Sequence, residues 1–220
     1  MAARLGLYCS FCERRILTNL AVEHIQPKAL PAYARLKGRW ENFLLCCVNC
    51  NSTKGAKDVV LDELLLPDRD NTFLAFEYAK DGTVAATSAL ANPARTMAAN
   101  TLKLVGLDRR AADATDANGR LVALDRVKQR MEAWVMAESA RDDVVQNPGN
   151  EAVRRLTAVL AVQSGFFSIW MKVFENDVDM RNRLIDSFAG TRNSACFDPS
   201  TSAAVHPAPN PDGLVHGGKT

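Results

Sequence analysis

The sequence predicts an α+β chain built as a small cysteine-stapled N-terminal unit, a short β-hairpin and a mainly helical body. Three observations predict it. Five of the six cysteines fall within the first 50 of 220 residues. Two β-prone runs flank a Lys-Asp-Gly turn in FLAFEYAKDGTVAAT. From about residue 107 to 190, apolar side chains recur at intervals of three and four.

The first unit, residues 1–57, is defined by Cys9-Ser-Phe-Cys12 and Cys47-Val-Asn-Cys50, two C-x2-C pairs separated by 34 residues. Each pair can present two thiolates from a tight knuckle, and together they complete the tetrahedral sulfur shell of a structural zinc. A redox dithiol is the competing reading, but it needs only one such pair. Cys46 and Cys196 lie outside the spacing and are expected to be small packed thiols. The unit carries nine Lys/Arg against three Asp/Glu, while the rest of the chain carries eighteen against twenty-two. That asymmetry points to an anionic partner at the N-terminal end, nucleic acid above all.

Residues 58–106 read as a connector, with the hairpin followed by a helix at ARTMAANTLKLVGL. In the helical body, 107–198, the expected core stripes are Leu124, Val127, Met131 and Trp134; Val153, Leu156 and Leu160; Phe166, Ile169, Trp170 and Val173; and Met180, Leu184 and Phe188. Asn118-Gly119 and Asn147-Pro148-Gly149 are the expected breaks. Residues 199–220 hold four prolines and three glycines and are expected to form a disordered tail, with His206 and His216 solvated and chemically idle. The apolar content of 47% is enough to bury a core. With no secretory h-region and no run of 18 apolar residues, the expectation is a soluble cytoplasmic protein that does not enter membranes.

The loop pinned between the knuckles contains Glu23, His24, Pro27, Lys28, Trp40 and Asn42, and the second knuckle runs into Asn51-Ser-Thr-Lys54-Gly55. His24 is the only histidine in the first 205 residues. Taken in order, C-x2-C, V-E-H-I-x-P-K, W-x-N-x-L and C-x2-C-N-x-x-K-G resemble the zinc-stapled form of the HNH endonuclease motif, a ββα-metal finger, over roughly residues 8 to 57. CSFCERR, VEHIQPKA, WENFLLCCVNCNSTKG, LLPDRD, TLKLVGLDRR and GTRNSACFD further resemble the HNH proteins paired with an ATPase in Septu-type and retron-linked anti-phage systems.

The resemblance implies that His24 is the general base, that Glu23 and Asn51 hold a catalytic Mg²⁺ or Mn²⁺, and that Asn42 fastens the loop so that the imidazole faces the scissile phosphate. Asparagine stands at 51 where many members have histidine, and glutamate at 23 where aspartate is commoner. Both changes bear on metal preference, since an amide oxygen suits a hard ion better than zinc. Successive side chains on a regular strand point to opposite faces, so a distorted strand end is expected at Glu23-His24. Lys28, Lys54 and Lys57, with Arg14, Arg15, Arg35 and Arg39, are candidate phosphate contacts, and Trp40 is expected to pack under the finger. The substrate implied is nucleic acid, DNA favoured over RNA. The resemblance also implies a partner ATPase; the chain has no G-x4-G-K-[ST] pattern of its own, so any ATP dependence is expected to come from elsewhere. The alternative is a non-catalytic zinc-binding module for nucleic acid or protein.

Overall fold

The computed structural model of the chain describes residues 6–110 and 117–220. Strands β1 (Ala21–His24) and β2 (Phe43–Cys46) pair antiparallel, with Glu23 opposite Leu44 and His24 opposite Phe43. Helix α1 (Val48–Lys54) follows after the single residue Cys47, which completes the expected ββα unit. Two 3-10 turns, Pro31–Leu36 and Trp40–Asn42, shape the intervening loop. Ile25, Leu44 and Cys46 are buried and supply the apolar floor of the unit. Pairing stays regular through His24, so the expected distortion of the strand end is not present. Glu23 and His24 therefore fall on opposite faces of β1, as strand alternation dictates.

In the connector, α2 (Thr72–Ala75) leads into the hairpin β3 (Phe76–Tyr78) and β4 (Val84–Ala86). The hairpin turns at Gly82, whose φ of +77° and 2.5 Å approach of a notional Cβ to the Val127 carbonyl leave no room for another residue. Helix α3 (Ala94–Val105) closes with left-handed Gly106, and Leu107 N–H donates to the Leu102 carbonyl at 2.9 Å, the paired arrangement that stops a helix cleanly.

Among the described residues, four α-helices make the body: α4 (Ala117–Gln146), α5 (Glu151–Ser164), α6 (Phe167–Val173) and α7 (Val178–Ser187). Asn150 and Asp177 cap α5 and α7 by accepting backbone N–H groups. Ile169, Trp170, Met180, Leu184 and Phe188 are buried, as the stripes of α6 and α7 predict. The stripes of α4 and α5 are different. Leu124 and Met131 are 42% and 43% exposed and Leu156 is 61% exposed, while the core face of α4 is Ala133, Ala137, Ala140 and Val144 and that of α5 is Thr157, Ala158 and Ala161. Small side chains let α4 pack against α6 and α5 at short range, so the bulkier stripe is turned outward. Asn147-Pro148-Gly149 separates α4 from α5, whereas Asn118-Gly119 lies inside the first turn of α4 rather than between elements. Among the described residues, no helix is long and apolar enough to cross a membrane.

The C-terminal segment is packed rather than loose. Gly218 N–H donates to the Arg69 carbonyl at 2.8 Å and Lys219 N–H to Asp70 at 2.9 Å, while Lys219 Nζ reaches the Leu61 and Leu64 carbonyls. Arg69, itself buried, returns a bond to the Val215 carbonyl at 2.9 Å. His216, expected to be idle, pairs with Asp62, while His206 is exposed. Proline and glycine content hides this order because the partners are backbone groups and the Arg69-Asp70 pair, which leave no apolar period.

Candidate functional site

The two knuckles meet because each is fixed to the β-pair. Ser10 N–H donates to the Leu45 carbonyl at 2.8 Å, which sets the first knuckle on β2, and Cys47 caps the helix that begins the second. The Cys9, Cys12, Cys47 and Cys50 sulfurs all lie within 4.8 Å of one another and are buried. Zinc–sulfur bonds of about 2.3 Å in a tetrahedron place sulfurs about 3.8 Å apart, and Cys12 and Cys47 stand at 3.8 Å. The donor set fits a structural zinc. Hydrogen bonding by the neighbouring thiols, led by Cys12, draws the Cys47 thiol down to about 7. Cys12 is pushed well up by the same crowding. Cys46 is buried, 4.0 Å from Cys9, and outside the tetrad, as expected.

Four thiolates around one dication leave a net negative centre, and α4 supplies positive charge to it. Arg126 is buried and donates to Cys50 Sγ at 3.9 Å, to the Val105 carbonyl at 2.9 Å and to the Gly106 carbonyl at 2.8 Å. One turn on, the buried Arg130 donates to the Gly82 carbonyl at 2.6 Å. Glu13, beside the first knuckle, accepts from Ser168 N–H and Oγ at 2.8 and 2.6 Å, and burial raises its carboxyl. The helical body is thus bonded to the cysteine centre. Partners that orient metal ligands typically contribute about 10–100-fold in affinity. Arg126→Leu is therefore expected to lose zinc to a chelator about tenfold faster than the parent, with helix content by circular dichroism unchanged. An unchanged release rate would show that the contact is incidental.

Glu23 points toward α1 and is buried, with Lys54 Nζ at 2.7 Å from Oε1. Lys54 also donates to the His24 carbonyl at 2.8 Å and is only 1% exposed. This lysine was expected on the phosphate-binding surface; its stem runs through the finger instead and its ammonium neutralises a carboxylate. Removing one partner of a buried pair leaves an uncompensated charge, at a cost of about 3–5 kcal/mol. Lys54→Met is expected to destabilise by that order in urea denaturation, and adding Glu23→Gln should recover most of the loss.

His24, on the opposite face, stacks edge-on against Phe43 at 5.0 Å between ring centroids, and its Nε2 lies 3.0 Å from the Lys37 carbonyl. A carbonyl only accepts, so Nε2 is the donor, and in the neutral ring that leaves the lone pair on Nδ1. Asn42 is buried and acts as a clamp: Oδ1 accepts from Gln26 N–H at 2.8 Å, and Nδ2 donates to the Gln26 and Leu36 carbonyls at 3.0 and 3.4 Å. It fixes the loop that follows His24. Asn51 is half-buried on α1, one turn before Lys54. Among the described residues, no hydrogen bond links Glu23 to Asn51 directly. Their carboxylate and amide oxygens are nonetheless the hard donors that Mg²⁺ or Mn²⁺ prefers.

Lys28 is exposed, as a phosphate contact requires. Lys57 directs its Nζ to the Leu104 carbonyl at 3.1 Å, capping the end of α3. Trp40 is not the buried anchor that was expected: it is 56% exposed, because Ile25 and Leu44 already fill the floor. Sequence reasoning did not find Arg126 or the Lys37 carbonyl. A lone arginine in a helix resembles a solvated one, and a carbonyl has no sequence signature.

Residues 8–57 match the family described as HNH endonuclease, over the same span as the cysteine centre, His24, Asn42 and Lys54. No curated protein and no solved structure matches the chain.

Proposed function

We propose that the chain is a metal-dependent HNH nuclease that hydrolyses phosphodiester bonds of nucleic acid, DNA favoured, with His24 as general base. The observation that carries this reading is the hydrogen bond from His24 Nε2 to the Lys37 carbonyl. It fixes the tautomer in which Nδ1 accepts a proton from the attacking water. Asn42 ties Gln26, just past β1, to the Leu36 carbonyl next to Lys37, so the imidazole is held before substrate arrives. By the resemblance, Glu23 and Asn51 would hold a divalent ion that neutralises charge on the phosphate and the leaving oxygen; Glu23 lies on the face of β1 opposite the His24 ring and is paired with Lys54, so it would have to leave that pair to do so. The cysteine centre is the mount and takes no part in the chemistry.

The wider resemblance supports a finer reading, in which this nuclease is the effector of an ATPase-paired anti-phage complex. That reading rests on the resemblance alone, and co-purification of an ATPase from the native operon tests it. The Lys54–Glu23 pair favours a second reading, a zinc module that binds without cutting, because an ammonium already satisfies the carboxylate. The two are separated by incubating zinc-loaded protein with plasmid, single-stranded DNA and total RNA in Mg²⁺ or Mn²⁺. Cleavage that requires the added ion supports the nuclease; salt-sensitive binding without cleavage in either ion supports the module.

A further inference from the structure

The loop between β1 and β2 offers more than a mount for His24. Arg35, Lys37 and Arg39 are exposed within five residues, Gly38 among them has nothing within 4 Å of a notional Cβ, and Trp40 closes the run with more than half its surface in solvent. A large exposed aromatic next to clustered cations is the arrangement that reads single-stranded nucleic acid, with bases stacked on the ring and phosphates on the charges. Trp40 also lines a cleft of about 720 Å³ whose other walls include Phe43, Pro67, Pro211 and Leu214. That volume falls in the range of about 300–1,000 Å³ found for small-ligand sites. Asp68 in the cleft is paired with Arg69 and Asp70 with Lys219, and Arg39 beside Trp40 is paired with Glu41, which leaves Arg35 and Lys37 as the cations for the flanking phosphates. Phe43 is shared: it faces the cleft and touches the His24 ring.

We propose that Trp40 is a stacking platform for one unpaired nucleobase beside the phosphate presented to His24, so that the substrate class is single-stranded or locally unpaired nucleic acid. This rests on the nuclease reading for the place of the phosphate, but the stacking site is testable without any cleavage. A duplex keeps its base faces buried in its own stack and has none to offer until a base is unstacked. The cations of residues 35–39 would hold the flanking phosphates outside the cleft, near the carbonyl that orients His24.

The test uses the zinc-loaded His24→Ala chain with no added Mg²⁺ or Mn²⁺, titrated with a single-stranded oligonucleotide and with its duplex while tryptophan fluorescence is followed. Trp170 is fully buried and Trp134 partly so, and the signal from Trp40 is isolated by subtracting the Trp40→Ala titration. Single strands are expected to quench the parent and to bind it more tightly than duplex. Trp40→Ala should lose that quenching and bind single strands roughly 10- to 100-fold more weakly, while Trp40→Phe recovers most of the affinity. Equal single-strand affinity in Trp40→Ala, or a preference of the parent for duplex, overturns the proposal. Cleavage by the wild-type chain is scored apart: a chain that stacks single strands as described yet never cuts upholds the platform and removes only the catalytic role of His24.

Discussion

A Cys47→Ser chain is expected to bind almost no zinc and to lose the cooperative unfolding of its N-terminal unit. The parent is expected to hold about one zinc per chain. The reason for so large an effect lies in how little else holds the unit together. Its β-pair is four residues long in each strand, α1 has seven residues, and the loop between the strands has only 3-10 turns. Metal binding in zinc-finger peptides supplies about 10–16 kcal/mol, which is the folding free energy of such modules. Here the same tetrad joins residues 9–12 to the start of α1, so its loss releases both ends of the His24 loop. The helical body should persist, because Trp170, Met180 and Leu184 are buried among their own helices. Zinc by elemental analysis and a two-stage urea transition by fluorescence and circular dichroism check this together. A Cys47→Ser protein with full zinc would mean that the four sulfurs do not hold the metal jointly. Cys46→Ser is the control, since Cys46 stands outside the tetrad and should leave the zinc content at the parental value.

The second large effect is expected at His24. General acid–base catalysis by a positioned side chain contributes about 10²–10⁴ in rate, so His24→Ala should reduce cleavage by that order while keeping zinc, fold and nucleic-acid affinity. The fold should be kept because the His24 side chain is only half-buried and its backbone carbonyl, the group that Lys54 binds, is unchanged by the substitution. Asn42→Ala is expected to differ in kind. It removes bonds to Gln26 and Leu36 and leaves their carbonyls without that donor, so it should lower stability and activity together. A His24 variant that lost stability as Asn42→Ala does would assign the histidine a packing role.

The parts of the site carried by side-chain chemistry at fixed spacing were legible from the amino acids alone. The four cysteines form one cluster, the ββα order is present, and the hairpin around Gly82, the helix Ala94–Val105 and the break at Asn147-Pro148-Gly149 lie where turn signals and apolar period place them. What escaped depended on which of two faces wins. The apolar stripe of α4 is genuine, but alanines and two arginines, 126 and 130, were buried in its place because they allow close packing and serve the cysteine centre and nearby carbonyls. Lys54 was misplaced for a related reason. A lysine after a helix-forming run resembles a solvated cation, and only the facing of Glu23 across the β-pair shows that it is a buried partner. Trp40 erred in the other direction, since aromatic residues in small units usually anchor a core, but here Ile25 and Leu44 do so. The C-terminal segment was hidden because its order comes from backbone bonds to Arg69 and Asp70.

On the proposed mechanism His24, held by the Lys37 carbonyl, activates water for phosphodiester hydrolysis. The measurement that tests it most directly compares zinc-loaded wild type and His24→Ala on plasmid, single-stranded DNA and total RNA, each with Mg²⁺, with Mn²⁺ and with no added ion. The wild type is expected to cleave only with the added ion, and His24→Ala to show no cleavage or at least about a hundredfold less. Cleavage at equal rates by the two proteins would contradict it.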